Sequence, residues 1–144
     1  MISEDIRVGE LTIRFLVEGK HSNESASIFE LEVPPGARVP GPHSHDGYEE
    51  TVYGVQGTLT WTVEGARRQL GPEDCFCVKR GEVHSFVNES DEPVKQLVIV
   101  TPAMIGPEYF RDVAEVINSG APPDPAAVAA VMRRHGLTPA PPTP

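Results

Sequence analysis

Residues 34–57 read PPGARVPGPHSHDGYEETVYGVQG, and the rest of the chain is best understood outward from them. Pro and Gly interrupt any regular run as far as Pro42. His43 and His45 then stand two apart, a spacing that on an extended strand points both rings to one face. Asp46–Gly47 supplies a turn, and Glu49 and Glu50 open the next strand. Two imidazoles with a carboxylate returning on an adjacent strand form a workable set of three metal ligands. A His-Ser-His turn in a Pro-rich loop would also explain the histidines, so the surrounding sequence has to decide.

On both sides the chain reads as short alternating strands. In ELTIRFLVEG, Leu11, Ile13, Phe15 and Val17 face one way and Thr12 and Arg14 the other. SIFELEV sets Phe29, Leu31 and Val33 against Glu30 and Glu32, and TLTWTVEG sets Leu59, Trp61 and Val63 against Thr58, Thr60 and Thr62. CFCV, HSFVN and VKQLVIVT continue the series, separated by Gly, Asn, Ser and Asp. Strands recurring at about 8–12 residues with turn residues between them indicate an all-β sandwich or barrel over residues 1–101. No helical period is sustained there, which excludes a parallel βαβ sheet.

Beyond Thr101 the sequence changes character, and nine of the 15 prolines lie in this last third. PEYFRDVAEVINSG places Phe110, Val113, Val116 and Ile117 on one helical face and ends at Asn118–Ser119–Gly120. A second helix is expected from Asp124 as N-cap and Pro125 at the first helical position, with Val128, Val131 and Met132 as its apolar stripe. Arg133, Arg134 and His135 suit its C-terminal dipole, and Gly136 stops it. Helices this short need a surface to pack on. Residues 102–137 are therefore an extension against the barrel or a partner, and 138–144 are expected to be a disordered tail.

With 144 residues the chain makes one domain that buries roughly 68–70% of its extended surface, so it needs no metal merely to hold a core. Twelve basic against 21 acidic residues give a net charge of −9, which argues against a phosphate-backbone binder and against docking on an anionic membrane. No apolar run approaches the ~20 residues of a spanning helix, and MISEDIRVGE lacks the basic and apolar parts of a secretory signal. A cytoplasmic location is the resulting expectation. Cys75 and Cys77, the only thiols, would lie roughly 6.6 Å apart on one strand face. They are expected to be reduced packing residues, and they make no zinc-ribbon pattern.

Of the five histidines, His21 sits in a polar turn and His135 at a helix end. His84 lies in RGEVHSFVN, on a strand that turns it inward beside Phe86. Together these segments resemble the cupin family. Its first motif, Gly, H-x-H, Glu, Gly, is matched by Gly36, His43, His45, Glu50 and Gly57. Its second is matched by Gly81, His84 and Asn88, with Glu73 where Gly is usual and Lys79 where Pro is usual. The motif core covers residues 34–90. The helical tail, with PPDP and RRHGL, is similar to that of small single-domain cupins labelled quercetin-dioxygenase-like.

The resemblance implies a single jelly-roll barrel (a double-stranded β-helix) with a short C-terminal helical extension. It implies one divalent ion held by His43, His45, Glu50 and His84, Glu50 being preferred to Glu49 because it stands in register with Gly57. Four protein ligands would close a tetrahedral zinc site. An ion preferring six, such as Fe²⁺, Mn²⁺ or Ni²⁺, would keep two positions open. Because the domain needs no structural metal, the open and reactive site is favoured, though zinc would also fit. Glu49 and Tyr48 are the candidate catalytic side chains, and Phe86, Val52, Gln96 and Val98 the candidate pocket wall. The expected function is that of a dioxygenase-like oxidoreductase for a small oxygenated or aromatic compound. The alternatives are a metal-dependent isomerase, decarboxylase or lyase, and a binding module without turnover. Neither nucleic acid nor membrane is an expected partner. A homodimer is implied, with the stripe of the last helix as one contact.

Overall fold

The computed structural model describes residues 4–141. Eleven strands and two α-helices follow in order, with a short 3-10 turn at Gly19–His21: β1 (Ile6–Val8), β2 (Leu11–Val17), β3 (Ser27–Val33), β4 (His43–His45), β5 (Glu49–Gln56), β6 (Leu59–Val63), β7 (Ala66–Leu70), β8 (Cys75–Val78), β9 (His84–Val87), β10 (Val94–Thr101), α1 (Pro107–Ile117), α2 (Pro125–Arg134) and β11 (Leu137–Pro139). The strands form two antiparallel sheets, one of six strands in the order β1-β2-β3-β10-β5-β8 and one of five in the order β11-β4-β9-β6-β7. This is the jelly-roll arrangement expected of the sequence, with each sheet hydrogen-bonded within itself.

Alternation becomes burial most clearly in β3 and β10, where every second residue is buried. From the six-stranded sheet, Phe29, Leu31, Val33, Val52, Val98 and Val100 face inward. Leu59, Trp61, Val63 and Phe86 meet them from the other sheet. Two turns use left-handed backbone. Gly57 has φ +72°, and a Cβ there would lie 2.6 Å from the Pro93 carbonyl oxygen, so this motif glycine is required for space as well as for conformation. Glu73, at the position where Gly is usual, adopts φ +70° and donates its backbone N–H to Gly54 O at 2.9 Å. The departure from the motif therefore keeps the turn and places a side chain in left-handed backbone, which carries a strain cost.

Asn88 of the second motif ties the two motif loops together. It is fully buried, its Nδ2 donates to Val33 O at 2.9 Å and Glu92 O at 2.8 Å, and its Oδ1 accepts from Ser90. Its backbone N–H reaches Ala37 O, and its own carbonyl accepts from Gly36.

The helices cover one mouth of the sandwich. Phe110 of α1 packs on Phe15 and Phe29, with ring centroids 5.8 and 5.2 Å away. Asn118 locks the end of α1 to β1, accepting from Gly9 N and donating to Arg7 O. Asp124 caps α2 through Ala126 N, as expected. Three expectations are corrected. Val128, Val131 and Met132 are buried within the chain, where α2 packs on α1 and β11, so the stripe is consumed internally and is not free for a dimer contact. The stretch from 138 opens as β11, which pairs with the ligand strand in the register Leu137↔His45 and Pro139↔His43; residues 142–144 lie outside the described residues. Cys75 and Cys77 are free and exposed, not packing residues, because Phe76 and Val78 take the inner face of β8.

Candidate metal centre

Strand register assembles the site. His43 pairs directly with His84 across β4 and β9, and His45 follows on the same face two residues on. Gly81 N donates to His45 O at 2.8 Å, so the turn before β9 is fastened to the strand that bears the other two rings. The three rings are buried, and their ligand nitrogens all lie within 4.8 Å of one another, close enough to hold a metal ion. Glu50 enters from the opposite sheet, with Oε1 3.4 Å from His45 Nε2.

Hydrogen bonding sets which nitrogens are available. His43 Nδ1 lies 2.8 Å from Gly41 O, and His84 Nδ1 lies 2.9 Å from Glu82 O. A backbone carbonyl only accepts, so in each ring Nδ1 carries the proton and Nε2 keeps a bare lone pair. His84 Nε2 is buried and has no partner. A backbone contact that fixes the tautomer in this way is the usual outer support of a metal-binding imidazole. A buried acceptor without a donor is costly; a cation at the point where the rings converge removes that cost. The residues present therefore fit a divalent ion.

The electrostatics agree. Burial, with His84 alongside, depresses His43 to about 3 and His45 to about 2, and burial also lowers His84. All three rings are neutral at physiological pH, the form that ligates. Burial pushes Glu50 up to about 7, so in the absence of a cation its carboxyl shares a proton near neutrality.

The other expected residues separate. Tyr48 is buried and stacks on His45, with centroids 4.2 Å apart and planes 18° apart. Glu49 points away from the centre. Its carboxylate accepts from the Arg80 guanidinium at 2.7 and 2.8 Å and from Arg80 N at 3.0 Å, and these bonds hold it down at about 2. Adjacent residues on a strand face opposite ways, so Glu49 cannot share the Glu50 side. Its expected catalytic role is withdrawn.

A cavity of about 70 Å³ adjoins the rings. At roughly 10–15 Å³ for each water it has space for a handful of them, which suits a small ligand or one that leaves part of itself outside. Phe86 and Val98 line it, as do Tyr48, Glu50 and Trp61. Val52 is buried elsewhere in the core, and Gln96 is fully buried, accepting from Trp61 Nε1 at 3.1 Å. The sequence reading missed Tyr109, which lines the cavity from α1. Its signal was there: Tyr109 stands four residues before Val113, one step wider on the same helical face.

An interior trio of imidazoles with a carboxylate between two antiparallel sheets defines a class of metal-binding β-sandwich. The cupin domain family matches residues 29–100, half of the chain, and the chain belongs to it. It is similar to Quercetin 2,3-dioxygenase of Bacillus subtilis, 27% identical over 107 residues, and to Probable oxidoreductase patJ of Penicillium expansum, 29% over 102 residues. The matches cover 74% and 70% of this chain and 31% of each relative, so the chain spans about a third of their length. Among solved structures, one described as a sugar phosphate isomerase from the cupin superfamily of Silicibacter pomeroyi is 26% identical, with TM-score 0.56, covering 63% of this chain and 59% of that one. Another, described as a predicted oxalate decarboxylase from Thermotoga maritima, is 24% identical, with TM-score 0.64, covering 70% and 93%, and supports the fold. No helix among the described residues is long and apolar enough to cross a membrane.

Proposed function

We propose that this chain is a metal-dependent cupin oxidoreductase of the dioxygenase kind, acting on a small oxygenated or aromatic compound, with His43, His45, His84 and Glu50 as ligands. The observation that carries the reading is the buried, unpartnered Nε2 of His84, in a cluster with the His43 and His45 rings, with Glu50 Oε1 3.4 Å from His45 Nε2. Similarity to a dioxygenase and to a probable oxidoreductase supports the reaction class. Bound there, an ion of six-ligand preference would supply Lewis acidity toward a chelating substrate and positions left open by the protein. The chain supplies the rest. Val98, Phe86, Val113 and Leu137 give the cavity an apolar wall against which a small substrate can pack. Glu50 would hold such an ion as a carboxylate, without the proton that its buried carboxyl otherwise shares near neutrality.

The cavity lining does not suit an isomerase acting on a sugar phosphate. The lining includes no lysine or arginine to receive a phosphate, and Glu49 is engaged by Arg80.

The test is oxygen uptake by protein loaded with Fe²⁺, Mn²⁺ or Ni²⁺ across a panel of flavonols, diketones and catechols. Uptake with at least one class is expected, and none after His84→Ala. Stoichiometric metal with no uptake across the panel would overturn the dioxygenase reading.

A further inference from the structure

Gln96 places an amide in an otherwise apolar part of the core. It stands on β10 two residues before Val98, is fully buried, and does not line the cavity. The register between β10 and β5 shifts at Lys95 and Gln96, and the partner of Gln96 on β5 is Gly54, which brings no side chain of its own. An irregularity of this kind re-aims a side chain. Here the amide reaches across to the other sheet, where its Oε1 accepts from Trp61 Nε1 at 3.1 Å. Its Nε2 is buried and, among the described residues, has no partner. A buried donor left unpaired costs stability. Two apolar side chains at positions 61 and 96 would fill the same space without that cost, so the stability of the core does not account for this pair.

The bond matters through the ring it holds. Trp61, the one tryptophan of the chain, is 1% exposed and lines the cavity. Phe76 and Phe86 pack on it, with ring centroids 5.4 and 5.1 Å away. Such packing is non-directional and leaves an indole free to rock; a hydrogen bond to its single polar atom is directional and fixes the ring. The ring so fixed lies 6.2 Å from that of His84, with the planes 28° apart. His84 has its own hydrogen bond at one edge, where Nδ1 meets Glu82 O. One such contact leaves the plane of the imidazole free to tilt. The ring contacts of His84 other than Trp61 are His43 and His45, which are candidate ligands themselves.

We infer that Gln96 is a positioning residue for the metal centre. By fixing Trp61 it holds the His84 ring at the tilt that keeps Nε2 with the other ligand nitrogens, and it does so from β10, a strand that carries no ligand. The inference rests on the ligand set proposed above and is independent of the oxygen chemistry.

The test is Ni²⁺ affinity, measured by competition with a chromophoric chelator, alongside the fluorescence of Trp61. Gln96→Met and Gln96→Leu both remove the acceptor and differ in shape, so an effect they share is not one of packing. Each should bind Ni²⁺ roughly tenfold more weakly, the lower end of the range for supporting partners of metal ligands. In each, the emission of the metal-free protein should move to shorter wavelength, as the indole N–H loses its acceptor. In a Trp61→Phe background the same changes at Gln96 should alter affinity by less than about twofold, because a residue that acts through Trp61 then has nothing to act through. Wild-type affinity in both Gln96 variants would overturn the positioning role and leave the ligand set standing. A tenfold loss repeated in the Trp61→Phe background would overturn the route through Trp61, and unmoved emission would overturn the hydrogen bond on which it depends. A wild-type protein that takes up no Ni²⁺ would refute the ligand set and this inference with it.

Discussion

His43–Ser44–His45 on β4 and Cys75–Phe76–Cys77 on β8 share one spacing, and both pairs are of residue types that can ligate metal, yet they end in opposite environments. The imidazoles turn inward, where His84 and Glu50 join them. The thiols turn outward on the last strand of the six-stranded sheet. A spacing of two guarantees a shared face and says nothing about which face. At β8 that is decided by Phe76 and Val78, whose apolar burial outweighs anything the thiols gain inside. At β4 no bulky apolar residue competes, and a paired strand on each side leaves the rings the interior.

The largest effect expected from breaking this contrast is on the inward pair. His45→Ala with His84→Ala should reduce bound metal from stoichiometric to undetectable by elemental analysis, while circular dichroism retains the β signature. Full metal content in that variant would refute the ligand set. Glu50→Gln keeps the shape and removes the charge, and metal affinity should fall by at least the 10–100-fold typical of losing a supporting partner, measured by competition with a chromophoric chelator.

Acidity tests the same burial. In metal-free protein His43 and His45 titrate at about 3 and about 2, against ~6.5 in the unfolded chain. The unfolded state therefore binds more protons through that window, and these residues cost stability progressively as pH falls below ~6.5. Glu50 acts in reverse: raised to about 7 from its usual 4.5, it costs stability as pH rises through that interval. Histidines outnumber it, so the melting temperature of chelator-treated protein should fall from pH 6.5 to 4.5. A rise over that range would contradict the burial of the rings.

Much of this was legible in the sequence because it depended on local pattern. Alternation in β3 and β10, the Asp124 cap and the Val128–Val131–Met132 stripe are short-range signals, and the histidines lay in register with a motif. What escaped depended on distant partners. β7, ARRQL, buries only Leu70 and shows no alternation, because it is the last strand of its sheet. β11 is a strand only because β4 accepts it. Glu49 was drawn off by Arg80, 31 residues away. Tyr109 required knowing that α1 closes the cavity.

Two smaller effects sharpen the outward side of the contrast. Glu73→Gly, on the turn leading into β8, relieves left-handed backbone but loosens the unfolded chain, so denaturant unfolding should show a gain below ~1 kcal/mol. Cys75→Ser with Cys77→Ser should change stability by less than ~0.5 kcal/mol and leave metal content unaltered. Lost metal in that variant would mean that the outer pair also contributes.

The pairing of β11 with β4 bears on any attempt to trim this domain. Cutting after Thr101 would seem to isolate a minimal sandwich, but it would strip the neighbour from the strand that carries two of the three imidazoles. The bared amide and carbonyl groups of residues 43–45 would then be a template for strand addition by another copy. Self-association, rather than simple loss of a helix, is the hazard to design against.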